Sequence, residues 1–311
     1  MNEQHQTNFP SVALPSAFTV ADEKNCAEIA EASRKYGYFF LENHGVSATL
    51  LSATIDETIR FYSRSDDQKN KYKCSPNSQF LGYRGLGAEK SLTHAGGEAC
   101  EQYRIGNIVQ SDARLPPVDQ EFFHQPFQAG VKLFREMTEV GNRLMSACAV
   151  GLGLTSSYFD KFLNEPLHRL GLNYYEVGAG ERIGNTVSYA MSAHIDHTIF
   201  TVLAHDQPGL EVLTPEGDWI EIPVIPGALF VFHGDYFQRW TNGQYRAVKH
   251  RVGDITKNRV SLQYKHKPSN EIVVAPLDPF ISENDPAKFQ AFDTGREYQE
   301  LLKTLLVREG A

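Results

Sequence analysis

The chain has 311 residues, 41% apolar and 22% charged, with 30 basic against 38 acidic residues and a net charge of −8, the balance of a soluble protein able to bury a large core. No stretch is basic enough to track a phosphate backbone and no apolar run approaches the roughly 20 residues that span a bilayer, so nucleic-acid and membrane partners are excluded and a small-molecule partner is expected. Cys26, Cys74, Cys100 and Cys148 are scattered with no CxxC pair, and the start, "MNEQHQTNFPSVALP", lacks a basic n-region and an apolar h-region, so reduced thiols and a cytoplasmic location are expected.

No repeat or flexible linker divides the chain, and one domain over 1–311 is the economical reading: a helical and irregular N-terminal part to about residue 165, a β-rich core over about 166–276 and a C-terminal helix over about 285–307. Residues 22–36 carry Cys26, Ile29, Ala30 and Ser33 at helical spacing, with Asp22 as candidate N-cap. "GYFFLENHGV" reads as a strand closed by a polar turn at His44, and residues 47–64 return to helical period through Leu50, Leu51, Ile55, Ile59 and Tyr62. From Tyr72 to about Pro117 the pattern is weak and glycine-rich, which predicts loops of the kind that line or cover a binding site. Phe127, Val131, Phe134, Gly141, Leu144, Cys148 and Leu152 predict a long helix packed along a sheet. From His168 to Pro276 short Val-, Ile-, Tyr- and Phe-rich runs alternate with turns, and Asn242-Gly243 is the strongest hairpin signal. The expected fold class is mainly β with flanking helices, a sandwich or jelly roll. The tail from Pro286 to Leu306 reads as helix through Phe289, Phe292, Tyr298, Leu301, Leu302 and Leu305.

Chemistry concentrates in "SAHIDHTIFTVLAHD", residues 192–206. On a strand His194 and Asp196 share a face, and burying both is costly unless each is paired. A metal would pair them, with His250 of "AVKHRV" as the third ligand, in the strand after the Asn-Gly turn. Two histidines and one carboxylate leave coordination positions open and suit non-haem Fe(II), whereas a zinc site closes further and has no redox chemistry. The competing reading is a buried histidine held by its neighbouring carboxylate. Further on, Arg259 and Ser261 of "KNRVSLQY" share a strand face, and a guanidinium fork beside a hydroxyl is a natural carboxylate receptor; a surface arginine on a sheet edge is the alternative. Asn173 and Tyr175 of "LNYYEV" also share a face.

The order NYY, HID, NG, HRV, RVS resembles the isopenicillin N synthase-like group of Fe(II)/2-oxoglutarate-dependent dioxygenases. "YGYFFLENHGV", "GYRGLG" and "GLEVLTPEGDWIEIPVIPGALFVFHGD" extend the resemblance over roughly residues 8–302. It implies a double-stranded β-helix (jelly roll) with Fe(II) on His194, Asp196 and His250, and 2-oxoglutarate as co-substrate with its distal carboxylate on Arg259 and Ser261. Tyr175 and Asn173 would add polar contacts to the same co-substrate, and O2 would take the remaining iron position. The implied reaction oxidises an unactivated C–H of a small metabolite, by hydroxylation, desaturation or cyclisation, with release of succinate and CO2.

Other histidines compete. His197 should face the opposite side of the HxD strand, His205 lies towards a strand end, and His233 of "VFHGD" could face substrate or satisfy a core hydrogen bond. For the substrate pocket the candidates are Arg84, His94, Tyr103, Arg104, Tyr189 and His233. Arg104 comes first, because "EQYRIG" alternates and turns only one of Tyr103 and Arg104 inward; an arginine there suits a carboxylate-bearing substrate. Alternatives are an oxidase of isopenicillin N synthase type that uses no 2-oxoglutarate, a non-catalytic small-molecule receptor of the same fold, and a zinc hydrolase. Oligomeric state is left open, a monomer sufficing.

Overall fold

The computed structural model describes residues 9–16, 22–90, 97–110, 117–184 and 189–295. In chain order the N-terminal part contains β1 (Ser11–Ala13), α1 (Glu23–Lys35), β2 (Tyr38–Glu42), α2 (Ala48–Tyr62), α3 (Asp66–Asn70), β3 (Gly82–Arg84), β4 (Glu101–Gly106), α4 (Gln120–His124) and α5 (Gln128–Gly151). The remainder contains β5 (Arg169–Tyr175), α6 (Ala179–Arg182), β6 (Met191–His194), β7 (Phe200–His205), β8 (Leu210–Leu213), β9 (Trp219–Glu221), β10 (Leu229–His233), α7 (Asp235–Trp240), β11 (His250–Val252), β12 (Arg259–His266), β13 (Val273–Val274) and β14 (Phe292–Asp293). A major sheet runs β1-β2-β10-β7-β12-β5-β4-β3, and a minor sheet runs β6-β11-β8-β9.

Alternation along the strands of the major sheet sorts side chains to two faces. The outer face carries Val260, Leu262 and Tyr264 of β12, Leu170 and Leu172 of β5, and Val202 of β7, in one cluster with Ile29 of α1, Leu51 and Phe61 of α2, and Leu133, Met137 and Leu144 of α5. Each of these buried side chains is worth about 1.5–3 kcal/mol. The spacing of Leu50, Leu51, Thr54, Thr58 and Phe61 makes α2 amphipathic, and the Ser47 hydroxyl caps it by accepting from the Leu50 N–H at 3.1 Å. Helix α5 comes so close to β12 that a methyl group on Gly141 would stand 2.7 Å from His266 Nδ1. The inner face turns Tyr38, Phe40, Leu203, Phe230 and Phe232 onto Leu210 and Val212 of the minor sheet and Val248, closing a second core between the sheets.

Three expectations change. Asn242 and Gly243 have φ of 51° and 87°, as a tight turn requires, but they end helix α7 instead of joining two strands. The Asn242 amide bonds Phe280 O and Pro286 O and fastens a distant loop; a dipeptide that tolerates positive φ serves either purpose. The weakly patterned segment 72–117 contributes β3 and β4, which extend the major sheet beside β5. The stretch from Pro286 to Asp293 is not helical: Phe292 lies in β14, paired antiparallel to β13. Thr294 and Gly295 are helical, and the remainder of that expected helix, with Tyr298, Leu301, Leu302 and Leu305, falls outside the described residues.

Candidate metal and co-substrate site

Strands β6 and β11 are antiparallel, with His194 directly opposite His250. Asp196 sits just past β6, where the chain leaves the strand, so a turn and not strand alternation swings its carboxylate back to the histidines. His194, Asp196 and His250 each offer one ligand atom, all within 4.8 Å of one another. The Nδ1 of His194 meets Ser192 O at 2.8 Å, and that of His250 meets Val248 O at 3.2 Å. A carbonyl only accepts, so both rings carry their proton on Nδ1 and keep the Nε2 lone pair for a metal, the arrangement in which backbone acceptors orient ligand imidazoles. His194 Nε2 lies 3.5 Å from Asp196 Oδ1. The other carboxylate oxygen accepts from Thr201 Oγ1 at 2.5 Å, and Lys265 Nζ donates to Oδ1 at 2.6 Å.

Charge follows geometry. Burial alone would raise Asp196, but Lys265 and His194 hold its carboxyl well below the ordinary range. His250 is pulled down to about 3 by burial and then by His194, so it stays neutral and ready to ligate. Burial also pulls on His194, but its contact with Asp196 more than offsets that and the net direction is upward. Two neutral-capable imidazoles and one firmly ionised carboxylate fit a divalent cation, and their donor set fits Fe(II).

The four co-substrate candidates meet on one face. In the β12–β5 ladder Arg259 stands opposite Tyr175 and Ser261 opposite Asn173. Arg259 is 1% exposed; its Nε donates to Gln207 O at 3.0 Å, while Nη1 and Nη2, equally buried, have no hydrogen-bond partner among the described residues. A buried guanidinium edge without acceptors is costly, and a carboxylate is the group that satisfies it in bidentate fashion. Its carbon lies 5.2 Å from the centre of the Tyr175 ring. The Tyr175 hydroxyl accepts from Asn173 Nδ2 at 3.3 Å and contacts Met191 Sδ at 3.8 Å. Asn173 and Met191 in turn line the cavity that holds His194 and Asp196.

The substrate candidates divide. Arg104 lines that cavity, 3.7 Å from Glu89, as the alternation of β4 predicts. Tyr103 is the outward neighbour: it is fully buried in the core under α2, and its hydroxyl donates to Phe123 O. Arg84 does not reach the cavity wall; it lies 2% exposed with a guanidinium nitrogen 3.8 Å from Glu89. Tyr189 is exposed, its hydroxyl accepting from Arg251 at 3.0 Å away from the cavity. His233 faces the helices, with Nε2 2.8 Å from Ser33 Oγ and its ring stacked on Tyr245, so the core hydrogen bond and not the substrate explains it. His94 falls outside the described residues. His197 lines the cavity, contrary to the opposite-face expectation, because the strand ends at His194 and the chain bends over 197–199. Sequence reading missed Lys265, Lys267, Arg169, Gln102, Gln263, Glu89 and Glu98 in the lining. The period-two rule, continued from Arg259 and Ser261, would have reached Gln263 and Lys265.

Comparison with known proteins agrees with this geometry. A model of the 2OG-Fe(II) oxygenase superfamily matches residues 167–268, and one of the N-terminal region of non-haem dioxygenases in morphine synthesis matches residues 9–133. Flavanone 3-dioxygenase 2 of Oryza sativa subsp. japonica is 26% identical over 287 residues, covering 90% of this chain and 80% of the relative. Homoarginine-6-hydroxylase 2-ODD-C23 of Glycine max is 27% identical over 300 residues, covering 88% and 89%. Among solved structures, full-length Neurospora crassa T7H in complex with alpha-KG superimposes with a TM-score of 0.80 at 20% identity, covering 95% of this chain and 96% of that one. JOX2 in complex with 2OG, Fe and JA gives 0.75 at 23%, covering 96% and 88%. Both share the double-stranded β-helix fold.

Proposed function

This chain belongs to the 2OG-Fe(II) oxygenase superfamily, and from that premise we propose that it oxidises an unactivated C–H bond of a small, carboxylate-bearing metabolite, by hydroxylation, desaturation or ring closure. It is a 2-oxoglutarate-dependent dioxygenase, with Fe(II), 2-oxoglutarate and O2 as its cofactor and co-substrates and succinate and CO2 as co-products. The observation that carries the reading is the convergence of one ligand atom from each of His194, Asp196 and His250 within 4.8 Å of one another.

His194, Asp196 and His250 would hold the iron, which when bound supplies the redox chemistry that activates oxygen. Ser192 O and Val248 O keep both imidazoles in the ligating tautomer, and Thr201 orients the carboxylate. Arg259 would take the distal carboxylate of 2-oxoglutarate on Nη1 and Nη2, with Ser261 beside it and Asn173 and Tyr175 opposite, so that the co-substrate enters in one orientation. The burial of Asp196, His250, Asn173 and Arg259 excludes water from the reacting groups. Relatives act on varied small molecules, as the names of homoarginine-6-hydroxylase and of the JOX2 complex with JA indicate; the carboxylate assigned to this substrate is supported by Arg104 in the lining.

Anaerobic Fe(II) followed by 2-oxoglutarate should produce a visible charge-transfer band, and oxygen should then yield succinate. His194→Ala or Asp196→Ala should remove several kcal/mol of metal stabilisation and lower succinate formation on the order of a thousandfold. Full succinate formation by either variant, or no band in the parent protein, would refute the reading.

A further inference from the structure

The part of the lining that neither the metal nor 2-oxoglutarate would use is basic. Past Ser261 the inward positions of β12 are Gln263 and Lys265, and Lys267 follows just beyond the strand. Opposite Lys265 on β5 is Arg169, and opposite Gly171 on β4 is Arg104. With Lys90 the lining holds five cationic side chains against three carboxylates, Glu89, Glu98 and Asp196. Like charges directly opposite on neighbouring strands destabilise a sheet, and Arg169 with Lys265 is such a pair.

The carboxylates are already engaged. Glu98 accepts from the Ser192 N–H at 2.9 Å, and Glu89 is held by Arg104, Arg84 and Gln102. Arg169 spends Nη1 on the carbonyls of Asn107 and His168. The Lys267 ammonium is pulled down to about 7, by burial first and then by Lys265, Arg169 and Arg104. Lys265 donates to Asp196 Oδ1, the oxygen nearest His194 Nε2. A divalent cation at that oxygen would repel the ammonium beside it. The Lys265 side chain is 26% exposed, so it can turn away from Asp196 into the cavity it lines.

We propose that Lys265 and Lys267, backed by Arg169, form a second anion subsite that grips the carboxylate of the prime substrate, and that metal binding at Asp196 releases Lys265 to it. This rests on the oxygenase reading of the same site. Six residues of strand, about 20 Å, separate Lys265 from Arg259, so the carboxylates of substrate and 2-oxoglutarate have separate receptors. The metal, by displacing Lys265, completes the site for the substrate's charge.

The test is thermal unfolding of anaerobic protein loaded with Fe(II) and 2-oxoglutarate, titrated at constant ionic strength with acetate, hexanoate and phenylacetate and with the corresponding amides. At least one acid should raise Tm saturably where its amide does not. The Lys265→Met/Lys267→Met double variant should lose that rise. Lys267→Met alone, which leaves the Asp196 contact intact and answers any folding failure of the double variant, should weaken acid binding about tenfold, the worth of one charge-assisted bond. Metal-free protein should bind the acid more weakly than the loaded form. Amides acting as well as acids, no saturable acid response, or a response that survives in the variants would overturn the subsite; equal acid affinity without metal would overturn the release of Lys265. An intact charge-transfer band without acid response counts against this subsite alone, and an acid response without the band counts against the oxygenase reading alone.

Discussion

Across the inner side of the major sheet, β2, β10 and β7 present Tyr38, Phe40, Phe230, Phe232 and Leu203, whereas β12, β5 and β4 present Arg259, Ser261, Gln263, Lys265, Arg169, Asn173, Gln102 and Arg104. Strand geometry and period are the same at both ends. At the first end the inward positions close against Leu210 and Val212 and make a core. At the second, Gln263, Lys265, Arg169, Asn173, Gln102 and Arg104 line a cavity, and Arg259 and Ser261 lie buried beyond that lining. One end therefore contributes stability, and the other holds its polar groups ready for ligands. The outer face of the same strands is mainly apolar under α1, α2 and α5 at both ends, so the fold does not depend on the polar end for its main core.

The sharpest way to break this division is to cut into the apolar end. Phe230→Ala removes a ring that packs 5.1 Å from Phe40 and 5.8 Å from Tyr38 and should cost about 3–5 kcal/mol in urea unfolding, while the Fe(II)–2-oxoglutarate band of the folded fraction persists. A band lost in proportion to nothing but stability supports the division; a folded variant without the band breaks it. At the polar end the signs reverse. Arg259→Lys keeps the charge but loses the fork, and should weaken 2-oxoglutarate binding by about 2–3 kcal/mol, read as KM, with little change in unfolding. Thr201→Val is subtler: it removes the hydroxyl that orients Asp196 Oδ2 and should lower Fe(II) affinity about 10–100-fold, measured by competition with a chromophoric chelator.

The smallest effect probes the buried imidazoles of the outer face. His168 and His233 are each held down to about 3 by burial. Below the ordinary histidine value of about 6.5 the unfolded chain binds protons that the folded one refuses, so stability is intact above that pH and is lost as pH falls towards about 3, by up to ~1.4 kcal/mol per pH unit for each group. His233→Gln should make the fall in urea midpoint between pH 7 and pH 5 shallower. An unchanged slope would assign the proton uptake elsewhere.

Much of this was legible in the chain. Helices α1, α2 and α5 follow from apolar spacing, because period is a local property, and the three candidate metal ligands from residue chemistry alone, since Asp196 lies past the end of β6 where strand period does not place it. The Arg259–Ser261 and Asn173–Tyr175 pairs were readable for the same reason, each being an i, i+2 pair on one strand. Misreadings came where a local signal has two uses. Asn242-Gly243 closes a helix because the residues before it on α7, Tyr236, Phe237 and Trp240, are buried in the core, and His233, open between substrate and a core hydrogen bond, was decided by Ser33, 200 positions away.

By itself the sequence determined which strands alternate, which side chains could ligate a metal and which arginine could receive a carboxylate, since these depend on neighbours one or two residues apart. Only the tertiary structure decided that His250 lies opposite His194, that Asp196 returns to them through a turn, and that Lys265 and Lys267 share their cavity. Those relations depend on strand register and sheet order, which arise from packing between segments far apart in the chain.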